Sequence, residues 1–335
     1  MTDPEPKTSN RCWVLSDGKA GGEAQSLGLA EALGLAPEIK RIEVRAPWRW
    51  LPPAVWPNSL WTLAPGGARL APPWPAILIA CGRLTAAPAL AVRRASRGAS
   101  FAIQVQDAKI APRRFDLVVV PQHDRLRGAN VVTTRGALNR VTPRRLAGAA
   151  ARLAPQLAHL PRPRVAVLIG GTGKAHRMTP RTVRDLAAQL VALARDKGAG
   201  LMVTASRRTG QANESALRAA LAEVPGVFWD GRGENPYFGY LGLADAVIVT
   251  ADSVTMISEA AATGKPVHVA ALEGGSAKFR RFHAAMQEAG VTRPFAGRLE
   301  DWRYEPLDEA ARIATEVRRR LELAGHGSRG RAGGA

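Results

Sequence analysis

Short apolar runs that alternate with helical patterns constrain the fold of this chain more than any other feature. In the second half of the sequence the runs are VAVLI (165–169), GLMVT (200–204), VFW (227–229), AVIVT (246–250) and VHVAAL (267–272). Short runs without polar alternation are typical of strands buried on both faces of a parallel sheet. Their alternation with helices predicts right-handed parallel units and therefore a Rossmann-like sheet.

The most regular helical pattern lies between the first two of these runs, in 180–197. Its apolar residues recur on one helical face: Val183, Leu186, Leu190 and Leu193. Thr179 can cap the first turn, Pro180 suits the first helical position, and Gly198 can end the helix. The spacing therefore predicts an amphipathic helix packed on the sheet.

The first half of the sequence repeats this pattern less regularly. Its predicted strands are RCWVL (11–15), EIKRIEV (38–44), AILIA (76–80), FAIQV (101–105) and DLVVV (116–120). Predicted helices lie near 23–33 and 85–97. We therefore predict an α/β fold in which two Rossmann-like domains face a cleft.

Two domains also agree with a length of 335 residues, which is long for one compact core. The proline-rich stretch LAPQLAHLPRPR (153–164) is the predicted linker between them. The predicted division is a disordered tail (1–10), a first domain (11–155), a second domain (156–305), a helix (306–324) and a disordered tail (325–335).

Composition excludes several classes of protein. No apolar run approaches the ~20 residues that span a bilayer, and MTDPEPKTSN lacks the apolar core of a secretory signal. Cys12 and Cys81 each adjoin a predicted buried strand, so we expect reduced thiols without a disulfide, metal site or cofactor. We expect a cytoplasmic chain, or one peripheral to the inner face of the membrane.

The net charge of +19 favours anionic partners. Phosphorylated small molecules and an anionic membrane surface both belong to that class. Arginine is scattered over the whole chain without a recognised nucleic-acid motif, so we expect no dedicated nucleic-acid binding.

The segment APWRWLPPAVWPNSLWTLAPGGARLAPPWP (46–75) interrupts the strand and helix pattern. It holds five of the eight tryptophans. Interleaved tryptophan and arginine are typical of a membrane interface or an acceptor-binding surface. A proline-rich loop pinned to the core by its tryptophans is the alternative interpretation, and both stay open.

A glycine-rich loop follows the first strand of each half: SDGKAGGEAQ (16–25) and GGTGKAHRMTP (170–180). Neither matches a P-loop or a complete dinucleotide fingerprint. In the second loop, backbone N–H groups that lead toward a helix could hold a phosphate. The predicted diphosphate contacts are Gly171, Thr172, Gly173 and Lys174, together with Ser206 and Arg207 at the end of the next strand.

The stretch VIVTADSVTMISEAAATGKPVHVA (247–270) predicts a short capped helix between two strands. Asp252 or Ser253 can cap it, and its polar residues Thr255 and Glu259 fall opposite an apolar face. Its start points to the same sheet edge as the second glycine loop. A carboxylate one or two turns into such a helix is placed to accept both hydroxyls of a ribose, so Glu259 is the predicted ribose ligand.

These parts, over about 165–272, resemble the carboxyl-terminal domain of GT-B nucleotide-sugar glycosyltransferases. The lipid-linked N-acetylglucosaminyltransferase of peptidoglycan synthesis is the nearest in style, because its first strand also runs into a Gly-Gly loop. A block like ADAVIVTADSVTMISEAAATGKP follows in that family. The resemblance implies the GT-B fold, a ribose contact for Glu259, and diphosphate contacts for the glycine loop and the helix cap.

Across nearly the whole chain the sequence is similar to the mitochondrial-fission "elongated mitochondria" family. The blocks that carry this similarity are SDGKAGGEAQSLGLAEAL, ACGR (80–83), DLVVVPQHD (116–124), TASRRTG, ENPYFGYLGLADA and TADSVTMISEAAATGKPV. Asn235, in the fifth block, is counted among the nucleotide-binding candidates. The family implies either recruitment of a dynamin-related protein, as in plant members, or a GT-B design without a settled substrate, as in bacterial members. The alanine and arginine content favours a bacterial member.

The peptidoglycan enzyme has a histidine in its first glycine-rich loop as a candidate base, whereas this chain has AGGEA there. For an inverting transfer the candidate bases at predicted strand ends are Asp17, Glu23, His123 and Asp124. A retaining mechanism, or no catalysis, stays open.

The first functional hypothesis is transfer of a sugar from a UDP-linked donor to a lipid-linked or other envelope acceptor. The second is a non-catalytic adaptor that docks a membrane or a partner protein. The third is a sugar-nucleotide epimerase, which also needs two such domains around UDP.

Overall fold

The computed structural model describes residues 11–57 and 59–331, with side chains through Leu323. The predicted tail 1–10 lies outside the described residues. Contacts divide the chain into two units. The first unit consists of the chain up to Arg140 and the chain from Asp308 onward, and the second unit is Val141–Leu307.

The first unit is built on a six-stranded parallel sheet of order β2-β1-β3-β4-β5-β6. Its strands are β1 (Cys12–Ser16), β2 (Pro37–Arg41), β3 (Ile77–Cys81), β4 (Phe101–Val105), β5 (Leu117–Pro121) and β6 (Val131–Thr134). Helices α1 (Ala20–Ala32) and α2 (Arg83–Ala95) follow β1 and β3. Because β1 lies between β2 and β3, the chain changes direction across the sheet at the β1 and β3 carboxyl ends. Ligands of open α/β sheets bind at such switch points.

The second unit begins with helix α3 (Pro143–Leu153), which precedes its sheet. The sheet is parallel, of order β10-β9-β7-β11-β12-β14. Its strands are β7 (Arg164–Ile169), β9 (Gly200–Ala205), β10 (Gly226–Phe228), β11 (Ala246–Thr250), β12 (Val267–Ala270) and β14 (Thr292–Pro294), and an antiparallel pair is formed by β8 (His176–Arg177) and β13 (Glu273–Gly274). The helices are α4 (Pro180–Lys197), α5 (Gln211–Ala220), α6 (Tyr237–Leu243), α7 (Val254–Ala261) and α8 (Ala277–Glu288). The switch point of this sheet lies between β7 and β11.

The last helix, α9 (Glu309–Arg331), belongs to the first unit. Its buried residues Ile313, Ala314 and Val317 join the core that contains Leu29 and Ala30 of α1. The helix continues past the predicted end at 324, and 332–335 of the predicted tail lie outside the described residues.

The observed boundary between units, after Arg140, differs from the predicted division at 155 and 156. Helix α3 packs on α6, and a Cβ at Gly239 would lie 2.7 Å from Leu153 Cδ2. A Cβ at Gly242 would lie 2.6 Å from the Leu146 carbonyl oxygen. These two glycines let α3 approach α6 closely, so 141–155 folds with the second unit. The prolines that suggested the linker come after that helix.

The strands are apolar because both faces of each sheet are covered. Val14, Leu78 and Ile79 in the first sheet and Val167 and Val247 in the second are fully buried. Cys12 and Cys81 are free and buried, as predicted. Helix α4 has the predicted bounds, and its buried residues are the predicted apolar face.

Candidate functional site

The candidate site lies in the second unit, at the carboxyl ends of β7 and β11. Three segments meet there: the glycine loop after β7, the turn after β9, and the start of α7. They carry most of the residues that the sequence analysis assigned to nucleotide binding. Open α/β sheets bind ligands at this edge because the loops leave room and the helices begin there.

The backbone of the glycine loop is bound within the protein. The Gly170 N–H donates to Thr250 Oγ1 (2.7 Å), that of Gly171 donates to Asp252 Oδ2 (3.0 Å), and that of Thr172 donates to the Arg208 carbonyl (3.0 Å). The Gly173 N–H donates to the His176 carbonyl (2.9 Å). These four groups are therefore not free to hold an anion, in contrast to the predicted backbone cradle. The loop contributes the Thr172 hydroxyl and the exposed Lys174 side chain, which has no ion-pair partner among the described residues.

Asp252 organises this edge of the sheet instead of facing a ligand. Its side chain is 1% exposed and accepts from Arg208 Nη2 (2.8 Å), Thr250 Oγ1 (2.7 Å) and the Gly171 N–H (3.0 Å). Three hydrogen bonds to a carboxylate offset the free-energy cost of burying its charge. Asp252 therefore joins the turn after β9 to the glycine loop, and its contacts differ from the predicted contact with a diphosphate.

The turn after β9 divides into structural and exposed groups. Ser206 Oγ donates to the Gly170 carbonyl (2.9 Å) and accepts from the Arg208 N–H (3.2 Å), so Ser206 holds the turn in place. Arg207 is exposed and has no hydrogen-bond or ion-pair partner among the described residues. Arg207 and Lys174 are thus the uncommitted cations that follow β9 and β7.

Helix α7 starts with a side-chain cap, as predicted. Ser253 Oγ accepts from the Met256 N–H (3.2 Å), and Gly264, with φ of 72°, follows the helix. The N–H groups of Val254 and Thr255 have no acceptor within the described residues. They form the positive end of the helix, where an anion is favoured.

Glu259 is buried rather than solvated. It is 9% exposed, and its Oε2 accepts from the Tyr237 hydroxyl at 2.6 Å. Burial raises the pKa of Glu259 to about 7, although the bond from Tyr237 acts in the opposite direction. Burial, followed by the charge of Glu259, raises the pKa of Tyr237 well above its ordinary value. Oε1 of Glu259 has no hydrogen-bond partner among the described residues, so this oxygen remains available to a donor.

Asn235 positions Tyr237, since its Oδ1 accepts from the Tyr237 N–H at 3.0 Å. It also lines a cavity of about 570 Å³ beside α3 and α6, together with Trp229 and Phe238. Neither Glu259 nor Asp252 lines this cavity. The structure therefore gives Asn235 an indirect connection to Glu259 through Tyr237.

His176 is a site residue that the sequence analysis did not select. Its ring is 5% exposed and stands edge-on to Phe279, with ring centroids 4.6 Å apart. Burial lowers its pKa, while the nearby Asp252 raises it and Arg208 lowers it further. A histidine whose pKa is lowered by burial thus lies near enough to the Asp252 and Arg208 pair to feel both charges. The histidine in GGTGKAH, next to the glycine loop, was the available signal in the sequence.

The four candidate bases lie in the first unit, after β1 and β5. Asp17 is bonded to Lys19 Nζ and to the Lys19 N–H, and Glu23 binds Arg41 through both oxygens (2.8 and 3.1 Å). That pair lowers the pKa of Glu23. His123 is 4% exposed and Asp124, the next residue, is half-buried, and each interacts with another part of the protein.

The described part of the chain shows neither a clustered metal site nor a membrane-spanning helix. Across 11–57 and 59–331, no group of three or more His, Cys, Asp or Glu side chains is arranged to hold a metal ion. No helix in that part of the chain combines the length and apolar character needed to cross a membrane.

Comparison with known proteins identifies relatives over most of the chain. The model of the family described as mitochondrial fission ELM1 matches residues 20–321. The mitochondrial fission protein ELM1 of Arabidopsis thaliana is 34% identical over 278 residues, which are 75% of this chain and 65% of that protein. The protein RP120 of Rickettsia prowazekii (strain Madrid E) is 29% identical over 209 residues, 60% of this chain and 58% of that protein. The chain thus spans less than two thirds of the length of each.

Among solved structures, the UDP-GlcNAc 2-epimerase of Methanocaldococcus jannaschii is similar with a TM-score of 0.55. It is 11% identical, and the match covers 92% of this chain and 99% of that one. A likeness at this identity concerns the fold. It confirms the α/β, GT-B type of architecture with a parallel sheet in each of two units.

Proposed function

The chain belongs to the mitochondrial fission ELM1 family, and we propose that its second unit binds a UDP-linked sugar that the protein transfers to an acceptor. One observation carries this proposal: Glu259 is a buried carboxylate with one free oxygen, on a helix whose positive end opens at the switch point of the sheet. A protein gains nothing in stability from such a group. Its burial is explained if a ligand donates hydrogen bonds to it.

The ribose of the nucleotide is assigned to Glu259. Oε1 would accept from the two ribose hydroxyls, while Tyr237 holds Oε2 and fixes the carboxylate. Hydrogen bonds to a buried carboxylate are charge-assisted and therefore stronger than those between neutral groups. Glu259 lies five residues beyond Val254, about 7 Å along the helix axis, a separation that a ribose and its diphosphate can span.

The diphosphate is assigned to the start of α7. Hydrogen-bond donors there are the free N–H groups of Val254 and Thr255 and the Thr255 hydroxyl. Positive charge would come from the side chains of Lys174 and Arg207. In a transfer, the acceptor oxygen would bond to the anomeric carbon as the bond from that carbon to the diphosphate oxygen breaks. UDP would leave with the electron pair, the proton of the acceptor hydroxyl would pass to solvent water, and these groups would stabilise the charge of UDP.

Two of the four candidate bases, Glu23 and Asp17, are poorly placed to accept that proton. Glu23 is a poor base because its bidentate pair with Arg41 lowers its pKa, and Asp17 is paired with Lys19. The name of the M. jannaschii relative, a UDP-GlcNAc 2-epimerase, supports UDP as the nucleotide and keeps epimerisation as the competing reaction.

Thermal unfolding with UDP, CDP and GDP tests the binding site. At UDP about 100-fold above its Kd we expect the unfolding temperature to rise by roughly 5 °C. Glu259→Gln keeps the shape and an acceptor for Tyr237 but removes the charge, so UDP should bind at least about tenfold more weakly.

Glu288→Gln is the matched control, since Glu288 is exposed at the end of α8. Its response to UDP should equal that of the unchanged protein. No shift with any of the three nucleotides would refute the site. Nucleotide binding without release of UDP from any UDP-sugar, tested with membrane extracts as acceptor, would instead favour the adaptor hypothesis.

A further inference from the structure

Large apolar side chains are exposed mainly in one segment of the first unit. Trp50 is 71% exposed, Val55 is 61% and Trp61 is 55%. The remaining strongly exposed large apolar side chain in the described part of the chain is Leu323. Three of these four residues therefore fall within the tryptophan-rich insertion, 46–75.

This exposure occurs on a segment that is held in place. Trp56 is 4% exposed, and its Nε1 donates to the Leu51 carbonyl (3.1 Å). At the start of α2, the Arg83 guanidinium donates to the carbonyls of Leu51 (2.9 Å) and Arg49 (2.6 Å). The backbone on both sides of Trp50 is thus hydrogen-bonded to the start of α2, so the segment that carries this indole is held in place.

Four of the five tryptophan rings of the insertion contact another tryptophan ring. The Trp48 ring stands edge-on to those of Trp56 (6.5 Å) and Trp61 (5.3 Å). Trp74 stands edge-on to the buried Trp13 at 6.1 Å. Some tryptophans therefore pin the insertion, as one interpretation of the sequence predicted, whereas Trp50 and Trp61 do not.

The charge of the insertion has one sign. Its ionisable residues are Arg49 and Arg69, no acidic residue occurs in 46–75, and Arg45 precedes it. The Arg49 guanidinium lies over the Trp50 ring at 5.8 Å, and the Arg45 N–H donates to the Thr62 carbonyl (2.9 Å), next to Trp61. An arginine side chain therefore accompanies the exposed Trp50 indole, and the backbone of Arg45 lies next to Trp61.

We propose that the insertion docks on the surface of an anionic lipid bilayer. Indole rings are favoured at the depth of lipid headgroups, and arginine binds lipid phosphate. Because the backbone that carries the rings is already held, docking requires little ordering of the chain. A protein partner would also bury tryptophan and arginine. The bilayer is favoured because an anionic membrane complements an insertion whose own ionisable residues are all basic, on a chain of net charge +19, even with the exposed Glu43 carboxylate beside Gly66.

Co-sedimentation of the full chain with vesicles tests this surface without any nucleotide, so it is independent of the proposed transferase activity. We expect binding to vesicles of mixed phosphatidylcholine and phosphatidylglycerol, and much weaker binding to phosphatidylcholine alone. The double variant Trp50→Ala, Trp61→Ala should reduce the partition coefficient between vesicles and water at least about tenfold. The reason is that each indole, on entering the lipid, removes on the order of 100 Å² of apolar surface from water. Leu323→Ala removes an exposed apolar side chain elsewhere and should leave the coefficient unchanged.

Charge is tested with a second matched pair of variants. Arg49→Ala should weaken binding about fivefold, because a basic residue at an anionic surface contributes about 1 kcal/mol. Arg184→Ala removes the same charge from the exposed side of α4 and should have little effect. All five substitutions are at exposed positions, and equal unfolding temperatures would confirm that each variant is folded.

Three results would overturn the proposal. The first is no binding to anionic vesicles, which would point to a protein partner for the exposed tryptophans. The second is unchanged binding by the double tryptophan variant. The third is an equal loss for Arg49→Ala and Arg184→Ala, which would mean that net charge alone attracts the protein to lipid.

Discussion

Two glycine pairs that look alike in the sequence have different structures at the two switch points. AGGEA follows β1 in the first unit, and IGGTG follows β7 in the second. In the first unit the pair lies in the first turns of α1, and a Cβ at Gly22 would be 3.4 Å from Cys81 Sγ. In the second unit a Cβ at Gly171 would be 2.0 Å from the Arg208 carbonyl oxygen. A glycine pair after a strand therefore indicates either the start of a helix or a place where another backbone segment passes too close for a side chain.

The acidic residues near the two switch points differ in the same way. Asp17 and Glu23 pair with the exposed Lys19 and Arg41. Asp252 and Glu259 in the second unit are buried, the former with three donors and the latter with one. A carboxylate that is buried with unused acceptor capacity indicates a ligand more strongly than one paired at the surface.

The largest expected difference concerns the glycines. Gly171→Ala should destabilise the second unit by about 3 kcal/mol or more, because the Cβ meets main-chain atoms that cannot move without breaking the Asp252 and Arg208 contacts. Gly22→Ala should be neutral or stabilise by up to about 1 kcal/mol, because alanine is the better helix former. Urea unfolding of the two variants measures both effects.

Equal stability changes for Gly22→Ala and Gly171→Ala would contradict the conclusion that only Gly171 lies too close to another backbone segment to accept a side chain. The far-ultraviolet circular dichroism of the Gly22→Ala protein serves as the control, since its helix content should not fall. If Gly171→Ala unfolds the second unit entirely, nucleotide binding should be lost as well, while the first unit retains its own transition.

The elements that the sequence predicted are those set by local pattern. Helix α4 has its predicted bounds, and β4 and β11 coincide with FAIQV and AVIVT, because cap, period and burial all act within a few residues. Strand β6, with the sequence VVTT, was missed because it is short and half polar at the edge of its sheet.

The contacts that define the candidate site were not predictable from local pattern. Arg208 lies 44 residues from Asp252, and Tyr237 lies 22 residues from Glu259. Only the sheet order brings these pairs together, so periodicity placed Glu259 on the polar face of α7 but could not show that this face is buried. For the same reason, the glycine pattern that predicted a backbone cradle could not show that Asp252 and the Arg208 carbonyl accept hydrogen bonds from the N–H groups of that loop.

The pH dependence of stability is the next largest effect, and it separates Glu259 from surface acids. Burial raises the pKa of Glu259 to about 7, above its ordinary 4.5, so the folded chain binds this proton more readily than the unfolded chain. The contribution of this proton to the free energy of unfolding is fully present below about pH 4.5 and is lost as pH rises through about 7. Relative to the unchanged protein, Glu259→Gln should therefore gain up to about 3 kcal/mol between pH 5 and pH 8.

Urea unfolding of the two proteins at several pH values measures this difference. The Glu288→Gln control should keep a constant difference from the unchanged protein across the same range. A flat difference for Glu259→Gln would show that Glu259 is ionised without penalty, and the main support for a ligand at this carboxylate would be removed.

The smallest effect is expected at Glu23, the counterpart acid of the first unit. Its bidentate pair with Arg41 is at the surface, where water and salt screen it, so Glu23→Gln should shift the unfolding temperature by no more than about 2 °C. The sign of its pH dependence is opposite to that of Glu259: the pKa of Glu23 is lowered, so its contribution is present near neutral pH and is lost as pH falls through the lowered pKa. The response to UDP should be unchanged, because the site proposed for the nucleotide lies in the second unit. If Glu23→Gln abolished UDP release while UDP still bound, Glu23 would act in catalysis despite its pair with Arg41, and the distinction drawn between buried and surface-paired acids would fail at that residue.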